Sequence, residues 1–200
     1  MTKPESDQTS APRARNAAAT REAILQAAYA AFAKSGYDGA GLREIASSAG
    51  VTAMMVNRYF GSKEGLFAAV VDHAMNTPSV MRPDAINAAS PSEAIANALI
   101  DHTGAQQPAL DGMRIILSSA SNPRAAEIIR EQMERRHHAW LTASIKAPDS
   151  AERAAMALSL IAGFQFMRQM IGLKALASAD PEILKKQLTA QLALLLDAPI

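Results

Sequence analysis

The chain has 200 residues, 49% of them hydrophobic, and 20 Lys/Arg against 19 Asp/Glu give a net charge of +1. That length and apolar content suit one substantial folded body or two small ones sharing a core, and they exclude a disordered chain. With no cysteine there can be no disulfide, thiolate metal site or thiol redox switch, which fits a reducing, cytoplasmic setting.

The first stretch, residues 1–16, is rich in Pro, Ser, Thr and charge and reads as a flexible N-terminal arm. It holds no apolar run of the kind a secretory leader carries. Helical periodicity then begins: Ile24, Ala27, Ala28, Ala31 and Phe32 form one apolar stripe, and Ser35-Gly36 ends it, with Gly36 suited to a left-handed cap. A short helix follows from Leu42 to Ala49, with Leu42, Ile45, Ala46 and Ala49 on one face. Gly50-Val51-Thr52 breaks the chain, and Thr52 is placed to cap a helix from Ala53 to Phe60. Gly61-Ser62 breaks it again, and Ser62 can cap a helix from Lys63 to about Asn76.

A Pro-containing linker runs from Thr77 to Ala89. Ser90-Pro91-Ser92-Glu93 then places Ser at the cap, Pro in the first helical position and Glu two residues later. Asn122-Pro123 and Asp180-Pro181 repeat the cap-then-Pro pattern. These signals predict helices from Pro91 to Thr103, Pro123 to Ala147 and Pro181 to Leu196. Two more are expected near Ala109–Ser119 and from Ser150 to Leu176. No segment alternates like a strand, none repeats, and no apolar run approaches the roughly 18–20 residues of a membrane span. An all-α protein of about nine helices is expected.

Two short helices joined by a glycine-containing turn have the spacing of a helix-turn-helix. Ile45, Ala46, Ala49, Val51 and Val56 lie where its helices must pack. On the second helix, Thr52, Ala53, Met54, Met55, Asn57, Arg58 and Tyr59 remain outside. Arg and Asn can read base edges, Thr and Tyr can bond phosphates, and small or apolar side chains can touch a thymine methyl. Lys63, with the free N–H groups at the start of the next helix, makes a phosphate clamp. Charge distribution agrees: residues 1–63 hold eight Lys/Arg and five Asp/Glu, a balance of +3, leaving −2 for the rest. Arg13 and Arg15 could enter a minor groove as part of the arm.

At this point the run from Thr20 to about Val71 resembles the N-terminal domain of the tetracycline-repressor (TetR) family. The Gly-Tyr before the second helix, then R-E-I-A, A-G-V, R-Y-F and S-K-E-x-L-F, occur in the family's order and spacing. The resemblance implies an N-terminal three-helix DNA-binding domain over 17–62 and a C-terminal helical ligand-binding and dimerisation domain over 63–200. It implies a cytoplasmic homodimer that binds a palindromic double-stranded DNA operator and is released by a small-molecule effector. Carried over by position, Arg43 meets phosphate or base, Thr52, Ala53, Met54 and Arg58 face the groove, and Tyr59 and Lys63 hold phosphates; Asn57 belongs to the DNA-binding set from its place on the outer face alone. Two departures stand out. Family members often have Thr or Ser where Ala40 and Gly41 stand, and Tyr where Asn57 stands, so docking carries over but base preference does not.

Further on, Ala154 to Ile171 is apolar almost all round and must be covered on more than one side. Leu158 and Ile161 there, with Leu184, Leu188, Leu192 and Leu195 on the last helix, are the expected dimer interface, a four-helix bundle with the partner subunit. Met113, Leu117, Met133, Trp140, Phe164 and Met167 are candidates for an effector pocket, suited to a small apolar guest. The adjacent His137 and His138 point about 100° apart on a helix, so they cannot chelate one ion unaided, and no metal or cofactor is expected. No Ser–His–Asp grouping, phosphate loop or paired carboxylates suggests an enzyme. A non-specific architectural DNA-binding protein is the alternative, but the net charge of +1 argues against its uniformly basic surface.

Overall fold

The computed structural model describes residues 10–76, 80–104 and 111–197. The helices are α1 (Ser10–Gly39), α2 (Leu42–Ser48), α3 (Ala53–Phe60), α4 (Lys63–Asn76), α5 (Pro83–Ile86), α6 (Pro91–His102), α7 (Asp111–Ser119), α8 (Pro123–Met133), α9 (Ala139–Ser144), α10 (Ser150–Gln165), α11 (Lys174–Ala177) and α12 (Pro181–Leu196). π-helical turns over Glu134–His138 and Phe166–Met170 join α8 to α9 and extend α10. The protein is all-α, and among the described residues there is no strand. Among the described residues, joining the helices across their π turns and setting aside the four-residue α5 and α11 leaves the nine expected from the sequence.

Local chemistry explains the boundaries. All three cap-then-Pro signals are used: Ser90 Oγ accepts from the Glu93 N–H (3.4 Å), Asn122 Oδ1 from the Ala125 N–H (3.0 Å) and an Asp180 oxygen from the Glu182 N–H (2.9 Å). Three expectations need correction. Helix α1 begins at Ser10, so residues 10–16 are helical rather than part of a flexible arm; residues 1–9 lie outside the described residues. The helix expected to reach Leu176 stops at Met170, because Gly172 takes a φ of 68° that turns the chain away. The linker before Ala89 contains the short α5.

The chain forms two compact units, Met1–Asp72 with Arg114–Ile128, and His73–Met113 with Ile129–Ile200. The first therefore extends past residue 62 and takes in a later segment. Its core gathers Ile24, Ala28 and Phe32 of α1, Ile45 and Ala46 of α2, Val56 of α3, and Leu66, Phe67 and Val70 of α4. Buried Tyr37 stacks on Phe32, and Phe67 meets both rings edge-on at 5.0 and 4.9 Å between centroids. The later segment is bound at the end of α1. Ser119 Oγ accepts from the Tyr37 N–H (3.0 Å), and Asn122 donates to Asp38 (2.7 Å). Gly36 sits there with φ 65°, and a Cβ on it would stand 2.6 Å from the Ser118 carbonyl oxygen. Only glycine permits both the backbone conformation and that approach.

The second unit is a helical core of α6, α9, α10 and α12, with Val80, Met81, Ala85 and Ile86 from the segment around α5. Ser92, near the start of α6, donates its hydroxyl to the Asp197 carboxylate at the end of α12. The leucine stripe read as a dimer interface is interior here. Ile161, Leu184, Leu188 and Leu192 are buried in the protomer's own core, and Leu158 and Leu195 pack against it. The stripe is consumed by α6, whose apolar face (Ile95, Ala96, Leu99) needed a partner. No helix of the described residues is long and apolar enough to cross a membrane.

Candidate nucleic-acid interface

The turn between α2 and α3 is built from backbone bonds. Gly50 takes φ 67°, and the Val51 N–H reaches back to the Ala46 carbonyl (2.9 Å). Thr52 stands outside α3 in extended conformation, and its hydroxyl accepts from the Met55 N–H (3.4 Å). The helix thus starts at Ala53, and its single fully buried residue, Val56, locks it to the core. Everything on the far side is left to solvent. Asn57 and Arg58 are exposed, and Met54 is 81% exposed, too much for a methionine kept for packing. Met55 and Ala53 are half-buried at its edges.

Around this face lie the other residues singled out in the sequence. Arg43 is exposed on the first turn of α2, and Tyr59 is half-buried near the end of α3. Lys63 opens α4, where Gly61 (φ 79°) turns the chain and Ser62 Oγ accepts from the Gly65 N–H (3.2 Å). Its ammonium rests 4.7 Å from the centroid of the Tyr37 ring. An aromatic face holds a cation in place without neutralising it, so Lys63 keeps its charge available. The structure thus brings Thr52, Met54, Asn57 and Arg58 together on one helix face, with Tyr59 and Lys63 towards its end. Chemically, that face can donate and accept hydrogen bonds, cover a methyl group and meet an anion at its margin.

Two contributors escaped the sequence reading. Tyr37 was noted only as part of a Gly-Tyr motif, yet it is the platform under Lys63. Burial, then the neighbouring Glu64 carboxylate, raises the pKa of its phenol, while the Ser62 hydroxyl holds Glu64 below the ordinary carboxylate range. Arg21 stands over the Phe60 ring (4.8 Å), adding a cation at the C-terminal end of α3. Nothing in its local sequence signals this, because its partner is far away in the chain.

A family model described as bacterial regulatory proteins of the tetR family matches residues 24–70, and one described as the tetracyclin repressor-like C-terminal domain matches residues 89–196. The chain belongs to the TetR family. A relative, the HTH-type transcriptional repressor NicS of Pseudomonas putida, is 43% identical over 61 residues. That match covers 30% of this chain and only 29% of NicS. The HTH-type transcriptional repressor SCO4008 of Streptomyces coelicolor is 29% identical over 143 residues, 70% of this chain and 69% of that one. Among solved structures, a transcriptional regulator from Rhodococcus sp. Rha1 is 27% identical, with a TM-score of 0.60 over 88% of this chain and 96% of that one. This TetR-family regulator keeps its reading head with one departure visible in the geometry. Gly41, the cap of α2, offers no side-chain bond, whereas Thr52 caps α3.

Of the six residues read as an effector pocket, three are exposed. Phe164 is part of the core, Trp140 is 44% exposed, and Leu117 and Met167 are also exposed. Leu117 belongs to the first unit, while the half-buried Met113 and Met133 belong to the second. Met and Trp at helical spacing mark an apolar face, but spacing cannot tell a cavity wall from an uncovered surface.

Proposed function

We propose that this TetR-family protein is a transcriptional repressor that binds a palindromic operator as a homodimer and is released by a small effector. The observation that carries the reading is the outward face of α3. A capped helix, pinned by Val56, presents Met54, Asn57 and Arg58 to solvent, without a side-chain partner among the described residues. Arg43, Tyr59 and Lys63, with Arg21, supply phosphate contacts that fix the register of α3 in the groove. The effector acts by favouring a conformation in which the two heads no longer match the half-site spacing. Effector and DNA then oppose each other reciprocally, by about 1–3 kcal/mol.

The surface left for dimerisation is the solvent side of α10 and α12. There Met156 and Met167 on the α10 segment, and Ile183 and Leu194 on α12, stay exposed while the leucine stripe is spent inside. Selection of bound duplexes from a random DNA pool tests the reading. The expected product is an inverted repeat whose half-sites lie about one helical turn, or a multiple of it, apart. Recovery of no enriched motif, with equal affinity for unrelated duplexes at fixed salt, would instead mark a non-specific binder.

A further inference from the structure

The second unit contains a buried cation without an acid. Arg168 lies in the π turn Phe166–Met170 and is 7% exposed. Its Nη1 donates to Thr103 Oγ1 (2.8 Å), and the Thr103 hydroxyl donates in turn to the Leu99 carbonyl. The guanidinium stands 5.7 Å from the Phe164 ring centroid. Its Nε–H is buried and meets no acceptor among the described residues. Among the described residues no Asp or Glu pairs with it, and burial alone lowers its pKa, with no neighbouring charge to offset the effect. Residues 105–110, which follow α6 in the chain, contain no Asp or Glu either. Gln169, next in the chain, donates to the His102 carbonyl (3.1 Å) and keeps a buried, unbonded Oε1.

An arginine is almost never buried unless it is paired. The end of α6 supplies only about half an elementary charge, and here it is reached through a threonine hydroxyl rather than directly. A guanidinium presents a planar fork that fits a carboxylate, and π turns recur at functional sites. One cation against an aromatic ring suits a monoanion; a phosphate dianion would need further donors. The same segment carries Ile171 and Leu173 exposed, apolar surface suited to the hydrocarbon part of a guest.

We propose that Arg168 anchors the carboxylate of an amphipathic effector, taken at the C-terminal end of α6 against the Phe166–Met170 turn. This rests on the reading that the protein responds to a small effector, and replaces an apolar guest with an acid. Gln169 Oε1 offers the same guest an acceptor for a hydroxyl or N–H group.

The test uses the full chain with benzoate and octanoate, each against its uncharged amide, at ionic strength held constant with sodium chloride. Melting temperature and Trp140 fluorescence are read together. At least one carboxylate is expected to raise the melting temperature saturably while its amide does not. Arg168→Gln should weaken that response by about tenfold or more, and Arg168→Lys should retain part of it, as a charge without the fork. No response to either acid up to about 10 mM, beyond even millimolar affinity, would overturn the proposal. So would an equal response to the amide, or an unchanged response in Arg168→Gln. If the Arg168→Gln chain does not fold, the acid–amide comparison in the unmodified chain decides alone. DNA selection on the same chain separates the two readings: an enriched operator without a carboxylate response removes only this site.

Discussion

At the scale of single residues, the proposed interface is made of side chains that do nothing for the fold. Arg58 is exposed and contributes no packing, so Arg58→Ala should leave the melting temperature unchanged and lose about 1–3 kcal/mol of discrimination between the selected operator and a scrambled duplex. A competition gel-shift checks both affinities. Gly36 is the opposite case. Gly36→Ala must place a Cβ 2.6 Å from a backbone oxygen at φ 65°, so it should cost at least about 1–3 kcal/mol in urea unfolding. His137 ties stability to pH. Burial, then the Arg136 charge beside it, lowers its pKa below the ordinary 6.5. The folded state therefore takes up this proton less readily than the unfolded state, and stability rises with pH. The contribution is complete above the unfolded pKa of 6.5 and is lost as pH falls through 6.5 towards the lower folded value. Urea midpoints should drop between about pH 7.5 and about pH 5.5, and His137→Gln should flatten that difference.

At the scale of elements, helix α12 shows how one pattern can serve two purposes. Leu184, Leu188 and Leu192 repeat every fourth residue and are buried against their own domain. Leu188→Ala should therefore destabilise the protomer by about 2–5 kcal/mol, a cavity cost seen in the urea midpoint whatever the protein concentration. The helix-turn-helix is the contrasting element. Its hydrophobic pattern, Gly50 and the Thr52 cap all lie within a few residues of each other, so its local sequence suffices to specify it. The π turns are different again. Neither Glu134–His138 nor Phe166–Met170 contains Pro or Gly, and no composition distinguishes them from ordinary helix. Yet the second carries Arg168.

At the scale of the whole molecule, dimerisation should depend on the residues that the protomer leaves uncovered. Ile183 and Leu194 lie on the solvent side of α12, 59% and 69% exposed. The double variant Ile183→Lys with Leu194→Lys should sediment as a monomer at micromolar concentration, bind the operator far more weakly and unfold at a urea midpoint that does not depend on protein concentration. A dimer that persists in this variant would place the interface elsewhere. The two compact units are also a property of the whole chain, since the first recruits residues 114–128 through Ser119 and Asn122, some eighty residues from their partners Tyr37 and Asp38.

The sequence by itself determined that the protein is helical, where most helices begin, and which short helix presents a reading face. These follow from caps, glycines and periodicity, interactions that span only a few residues. Tertiary structure alone decided which apolar faces were spent inside. The stripe of α12 and the all-round apolar α10 are compatible with an interior or an intersubunit role, and for the stripe only the packing of α6 against α12 resolves it. It also decided that Tyr37 carries Lys63, that the expected Met-rich pocket is partly open surface, and that Arg168 is buried without an acid. Each depends on residues distant in the chain, whose approach no local pattern encodes.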